Sequence, residues 1–300
     1  MQRILVTGKG GQLATGLEAA LPARGFAPIL VGQPEFEFDM PETVVAGFAA
    51  ARPDAVVNCA AWTAVDAAED EEAAAFRANA LGPAQVAALC ARAGVPLIQI
   101  STDYVFDGRK GAPYTEDDPP CPLGAYGRTK LAGEWAALAG SERVIVLRTA
   151  WVFAPMGKNF VRTMLTAGAQ RPSLRVVADQ HGCPTAAPDL ADAIAGVLAR
   201  IRDTGWRADY RGVFHAAGGG ETNWHGFAKA IFEAAGPFGG PRPHVEPIAT
   251  SDYPTKAVRP ADGRLNCGRL ARVFGVTLPH WRDGLARVMR ELHAPAAGER

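Results

Sequence analysis

A chain of 300 residues is long enough to bury one large core or two smaller ones. Its 31 lysines and arginines balance 31 aspartates and glutamates, and the basic residues come singly, so the charge footprint of a nucleic-acid or anionic-membrane binder is absent. A hydrophobic content of 48% excludes a disordered chain, and 33 glycines with 23 prolines, against roughly 36 such residues at average usage, imply many turns.

Over the first 150 residues, apolar runs of strand length alternate with segments of helical period. Residues 3–7, 28–31, 55–58, 96–101 and 144–148 read as strands, and 11–24, 41–51, 66–93 and 123–139 as helices. The strands are apolar throughout, as in a parallel sheet covered on both faces, which predicts an α/β fold with a doubly wound parallel sheet. Past residue 150 the pattern loosens into short strands (174–178, 213–216) and helices such as 188–200, which predicts a smaller, interleaved domain. The boundary falls near 150, giving units 1–150 and 151–300, with a strand near 213–217 rejoining the first sheet. The tail from Ala294 is Ala/Pro/Gly-rich and expected to fray.

Cys59, Cys90, Cys121, Cys183 and Cys267 lie far apart, without a CxxC pair or zinc-finger spacing, so a reduced, cytoplasmic chain is expected. Met1-Gln2-Arg3 runs directly into an apolar strand, which leaves no room for a signal peptide, and no apolar run approaches membrane-span length.

The strand Ile4-Leu5-Val6 opens into Thr7-Gly8-Lys9-Gly10-Gly11-Gln12-Leu13-Ala14 and then a helix. Glycines at such a turn let backbone N–H groups approach a pyrophosphate, whose charge the helix N-terminus favours; this is the logic of a Rossmann NAD(P)-binding domain. The next strand ends in Gly32-Gln33 where an NAD-selective site carries an acidic residue. NADPH is therefore tolerated and slightly favoured, with NADH open. Asp39 and Met40 stand just before a helix that begins with Pro41; Asp39 either meets the adenine edge or caps that helix.

Tyr126 and Lys130 are four apart in a helical stretch and share one face. A free phenol near pKa 10 is a poor proton shuttle, and a neighbouring ammonium with a cationic nicotinamide is expected to lower it. At the carboxyl end of the strand before this helix stand Ser101, Thr102, Asp103 and Tyr104, where Thr102 can donate to a substrate oxygen. Another strand end carries Asn58-Cys59-Ala60-Ala61-Trp62-Thr63, with Ala60 and Ala61 small enough to let a cofactor lie close.

These segments, with Arg148-Thr149-Ala150-Trp151, Asn159-Phe160, Asp179-Gln180 and Arg259-Pro260, cover nearly the whole length. Together they resemble the extended short-chain dehydrogenase/reductase superfamily and, within it, the dTDP-4-dehydrorhamnose reductase family. The resemblance implies an NAD(P)H-dependent reductase acting on the C4 ketone of dTDP-4-dehydro-L-rhamnose. It implies that Tyr126 is the proton donor, Lys130 its partner and Thr102 the third polar member. It also implies cofactor contacts at Gly11, Gln12, Leu13, Asp39, Met40, Ala61, Trp62 and Thr63, and substrate contacts at Thr102, Asp103 and Trp151. Related dehydratases resemble Thr-Asp-Glu at the strand end; here Tyr104 replaces the carboxylate that water elimination needs, which favours direct reduction.

Two departures bear on ligands. Ala261-Asp262-Gly263 stands where a serine is usual after Arg259-Pro260, so nucleotide contacts there are expected to differ. Some relatives hold magnesium between glutamates at a dimer interface; near Gly16 the expected acidic residue is missing, Glu18 being the nearest, so no metal is expected. Lys158, Lys256 and Arg259 are candidates for the diphosphate. A sugar nucleotide is the expected partner, without nucleic acid or membrane, and a homodimer is compatible. A non-catalytic cofactor-binding subunit and a reductase or epimerase of another 4-keto sugar nucleotide are the rival readings.

Overall fold

A computed structural model describes residues 1–294; the expectation for the Ala/Pro/Gly-rich tail falls largely outside the described residues. The chain begins β1 (Gln2–Thr7), α1 (Gln12–Ala23), β2 (Phe26–Val31), α2 (Pro41–Ala51), β3 (Ala55–Asn58), α3 (Val65–Ala68), α4 (Glu72–Phe76), α5 (Gly82–Ala93), β4 (Leu97–Thr102), α6 (Ala125–Gly140) and β5 (Val144–Thr149). It continues β6 (Val152–Phe153), α7 (Phe160–Gln170), β7 (Ser173–Val177), β8 (His181–Gly182), β9 (Thr185–Ala186), α8 (Ala187–Thr204), β10 (Gly212–His215), β11 (Thr222–Asn223), α9 (Trp224–Ala235), β12 (His244–Ile248), α10 (Gly268–Phe274) and α11 (Trp281–Leu292).

Six strands form one sheet in the order β10-β5-β4-β3-β1-β2, every neighbouring pair parallel. Alternate side chains leave opposite faces of each strand. Ile4, Val6, Val57, Ile145 and Leu147 pack beneath α1, α8 and α10, while Leu5, Val56, Val144 and Val146 pack against α2, α5 and α6. Both faces are thus covered by helices, the doubly wound arrangement that apolar strands require. β10 enters from late in the chain and pairs with β5, Phe214 opposite Leu147.

The remaining short strands pair outside this sheet: β7 with β12, β8 with β11 and β6 with β9. Phe153, Phe227, Ile231, Trp281 and Leu285 give α9, α11 and their neighbours a separate apolar core.

One expected element is broken. The helix expected over 66–93 is divided into α3, α4, a π-helical turn over Arg77–Leu81, and α5. Glu69, in the gap between α3 and α4, turns its carboxylate to the first amide of α6, accepting from Ala125 N at 2.7 Å. Pro83, in the first turn of α5, has no N–H to give to the preceding turn. The π turn carries Asn79 inward, where it bonds both peptide groups of Trp62 and the hydroxyl of Thr129. Such turns concentrate where a side chain must be aimed.

Candidate active site

A buried polar relay ties the carboxyl ends of β1 and β3 to the middle of β4. Thr7 Oγ1 donates to Asn58 Oδ1 at 2.5 Å and accepts from the amides of Cys59 and Ala60, while Asn58 Nδ2 donates to Gln99 at 2.7 Å. This relay fixes the loop bearing Ala60, Ala61 and Trp62 against the turn that follows β1. Gly8 adopts φ +77°, and a Cβ there would press on the backbone of Ala60 at 3.0 Å. Gly10 is also left-handed, at φ +83°, with open space where a side chain would stand. Gly11 N donates to Gly8 O at 2.9 Å, and α1 starts at Gln12 with no side chain capping its N-terminal amides. A glycine cradle facing an uncapped helix N-terminus fits a dinucleotide pyrophosphate. Gln12 Oε1 accepts from Asn159 Nδ2 at 2.9 Å, which joins this turn to the start of α7. Leu13 points into the core, so only its backbone faces the turn.

Asp39 and Met40 are exposed at the start of α2. Asp39 does not cap that helix. Met40 is the cap residue, and the Asp39 carboxylate accepts from Arg77 Nε at 2.9 Å. Pro41 occupies the first helical position as expected. Thr63 is exposed, and Trp62 donates its indole N–H to Ala64 O.

Thr102, Tyr126 and Lys130 come together where β4 ends against α6. Thr102 Oγ1 donates to Asp103 Oδ1 at 3.0 Å and accepts from the amide of Tyr104. Lys130 is 4% exposed, and its ammonium donates to Ile100 O at 2.7 Å. Burial lowers its pKa to about 8, with Glu134 and Cys59 opposing that shift. The protein's own groups raise the Tyr126 pKa, where the ammonium and a cationic nicotinamide together were expected to lower it. Burial pushes it well above the ordinary phenol range, the Thr102 hydroxyl offsets this in part, and the nearby Asp103 and Tyr104 push it further. The phenol is therefore held protonated. Asp103 is buried, which raises its carboxyl to about 7 although Thr102 and backbone amides favour the charged form. Tyr104 meets the Tyr126 ring edge to face at 5.5 Å, so an aromatic ring and not a carboxylate stands beside this phenol.

Trp151, two residues beyond the Thr149 that pairs with Thr102, is one of only two non-glycine residues with positive φ among the described residues, at +46°. Its indole stacks on Trp224. A loop over residues 256–264 closes the other side: Ala257 N and Arg259 Nη2 both donate to Asp66, at 3.0 and 2.8 Å. Gly263 lies so close to Asp103 that a Cβ would stand 2.5 Å from its Oδ2. Asp262 is held by Arg264 at 2.9 and 2.7 Å, which gives the departure noted at 261–263 a structural basis. Of the diphosphate candidates, Arg259 pairs with Asp66 and Lys256 with Asp70, while Lys158 is exposed without an ion pair among the described residues. No group of three or more His, Cys, Asp or Glu side chains is clustered as metal ligands would be among the described residues. No helix among them is long and apolar enough to cross a membrane.

Residues 1–294 match the family model for the RmlD substrate binding domain. The chain belongs to this family. It is 43% identical over 288 residues to a dTDP-4-dehydrorhamnose reductase of Sinorhizobium fredii, with 96% of each chain covered. It is 38% identical over 299 residues to a dTDP-4-dehydrorhamnose reductase of Escherichia coli, covering 98% of this chain and 99% of that one. The crystal structure of a Bacillus anthracis dTDP-4-dehydrorhamnose reductase in complex with NADP matches with a TM-score of 0.88 at 32% identity, over 97% and 99% of the two chains.

Sequence reasoning missed several residues that shape this RmlD-family site. Asn79 and Trp224 carry no motif of their own; Arg148 stands in a segment that carries the resemblance but was given no role, and Glu134 follows Lys130 by one helical turn, a spacing that was a usable signal.

Proposed function

We propose that the protein reduces the C4 ketone of dTDP-4-dehydro-L-rhamnose to the alcohol of dTDP-L-rhamnose, with Tyr126 giving the proton. The observation that carries this reading is the convergence of buried Thr102 and Lys130 with Tyr126 at the strand ends, in a chain similar end to end to reductases of that name. NADPH, when bound, supplies the hydride for the ketone carbon. Gly8, Gly10, Gly11 and the first-turn amides of α1 would hold its pyrophosphate, and Lys130 its nicotinamide ribose. Gly32 and Gln33 present no carboxylate to repel a 2′-phosphate.

Reduction must begin with a protonated donor. Burial holds Tyr126 in the phenol form, and the proton passes from its hydroxyl to the forming alkoxide oxygen. Thr102 would hydrogen-bond the same oxygen, with Asp103, Tyr104 and Trp151 lining the sugar. In this reading residues 1–150 with β10 carry the cofactor, and most of 151–300 carries the sugar nucleotide. Five unpaired cysteines support a reducing, cytoplasmic setting. Phe76 on α4, Leu81 in the π turn and Trp135 on α6 are large apolar side chains left exposed, which supports a homodimer that sedimentation tests directly.

The experiment supplies dTDP-4-dehydro-L-rhamnose and follows NADPH absorbance. Stoichiometric oxidation is expected. NADPH binding without turnover would replace this reading with a regulatory binding role.

A further inference from the structure

Beneath the reactive cluster lies an ion pair that the proposed reaction does not itself use. Glu134, on α6 one turn beyond Lys130, is 1% exposed. Its Oε1 accepts from Ser101 Oγ at 2.5 Å and Arg148 Nε at 2.9 Å, and its Oε2 from Arg148 Nη2 at 2.6 Å. Ser101 is the residue before Thr102 on β4, and Arg148 lies beside it on β5. Lys130 reaches the carbonyl of Ile100, the residue before Ser101. Two side chains one helical turn apart therefore grip two consecutive residues of the strand that ends in Thr102.

We infer that Glu134 is a positioning residue for the proposed reductase reaction: its carboxylate clasps the helix carrying Tyr126 and Lys130 onto the strand carrying Thr102 and sets a negative charge one helical turn from the Lys130 ammonium. The inference rests on the functional reading above.

Stability alone does not call for such a pair, because apolar residues of similar volume replace buried ion pairs at little or no cost. The placement of the charges explains it better. The Arg148 guanidinium is buried over the Phe106 ring at 5.0 Å, and its Nη1 has no hydrogen-bond partner. Without Glu134 it would be an uncompensated buried cation. The charged and titratable groups bearing on the cluster are Glu134 and Tyr126 on α6, Cys59 beyond β3, Asp103 and Tyr104 beyond β4, Arg148 on β5 and His215 on β10. Of these, Glu134 is the foremost in favouring the charged lysine.

The test is Glu134→Gln, which keeps the shape and removes the charge. The Lys130 titration is read in the free enzyme by NMR of isotopically methylated lysines, and the alkaline limb of kcat is read in turnover. Both are expected to move about one unit lower, so that activity near pH 8 falls roughly fivefold, approaching tenfold only at higher pH. Ser101→Ala keeps both charges and loosens the clasp; it is expected to lower kcat and leave the lysine titration in place. Lysine titration unmoved in a folded Glu134→Gln protein would overturn the inference, whatever the substrate proves to be. If Glu134→Gln does not fold, unchanged kcat in Ser101→Ala overturns it and a lowered kcat at constant lysine titration supports it. The free-enzyme titration is independent of turnover, so failure of the proposed reaction is distinguishable from failure of this inference.

Discussion

The indole of Trp151 lies flat on that of Trp224, their ring centroids 3.5 Å apart and their planes within 8°. Trp224 is itself fixed, donating its Nε1–H to Gln180 Oε1 at 3.1 Å. Behind Trp151 stands Gly182, where any Cβ would run into the indole. Trp151 pays for this pose with a left-handed backbone, worth about 1–2 kcal/mol. Gly182→Ala is therefore expected to push the indole off its stack and raise KM for the sugar nucleotide about tenfold, leaving NADPH affinity within twofold. Steady-state kinetics with both ligands varied would check this, and an equal loss for both would place Trp151 outside the sugar site.

Tyr126→Phe removes one hydroxyl from a half-buried ring and leaves the shape intact. If the phenol is the proton donor, kcat falls by about 10²–10⁴-fold with little change in NADPH binding. Retained turnover would mean that the proton comes from another group.

His215 is fully buried on β10, and its Nδ1 faces Tyr114 O at 3.1 Å. A carbonyl partner puts the ring proton on Nδ1, leaving Nε2 as an acceptor without a partner. Burial, with Arg148 nearby, lowers its pKa to about 3. The unfolded chain then binds a proton that the folded one refuses. Stability contributed by the neutral ring is complete above the ordinary histidine pKa of about 6.5 and is lost as pH falls toward 3. Urea unfolding between pH 7 and 4 should show this slope, and His215→Gln should flatten it.

Asp103 titrates in the opposite sense. Its folded pKa of about 7 lies above the ordinary 3.8, so the folded state holds the extra proton. Stability is greatest below the unfolded value and declines as pH rises through the folded one. Asp103→Asn is expected to unfold at higher temperature than the parent at pH 8 and at nearly the same temperature at pH 4. Identical pH profiles would show that the carboxyl is better solvated than its burial implies.

What was legible in the chain follows from the range of each interaction. β1 to β5 declared themselves because a strand covered on both faces must be apolar throughout, and the turn after β1 because glycine alone tolerates Gly8's φ there. The grouping of Thr102 with Tyr126 and Lys130 was readable from motif and order. The break in the helix over 66–93 was not, because Asn79 answers to Trp62 and Thr129, partners 17 and 50 residues away. The upward push on Tyr126 was not legible for the same reason, since spacing reveals a neighbouring lysine but neither the burial of the phenol nor Asp103 and Tyr104 beside it. Asp39 looked like a helix cap and instead found Arg77, 38 residues on. The partnership of Trp151 with Trp224 leaves no local trace.

β10 gives the order of synthesis a physical weight. The phosphate turn is made within the first dozen residues, yet the edge of β5 stays open until residues 212–215 pair with it. The helix that covers α1, α8, begins only at Ala187. A nascent chain of 150 residues therefore carries an unpaired, apolar strand edge and a sheet face covered only by α1, two features that invite aggregation. Residues 1–150 expressed alone should be insoluble, and binding to NADPH should first appear in truncations that extend past His215.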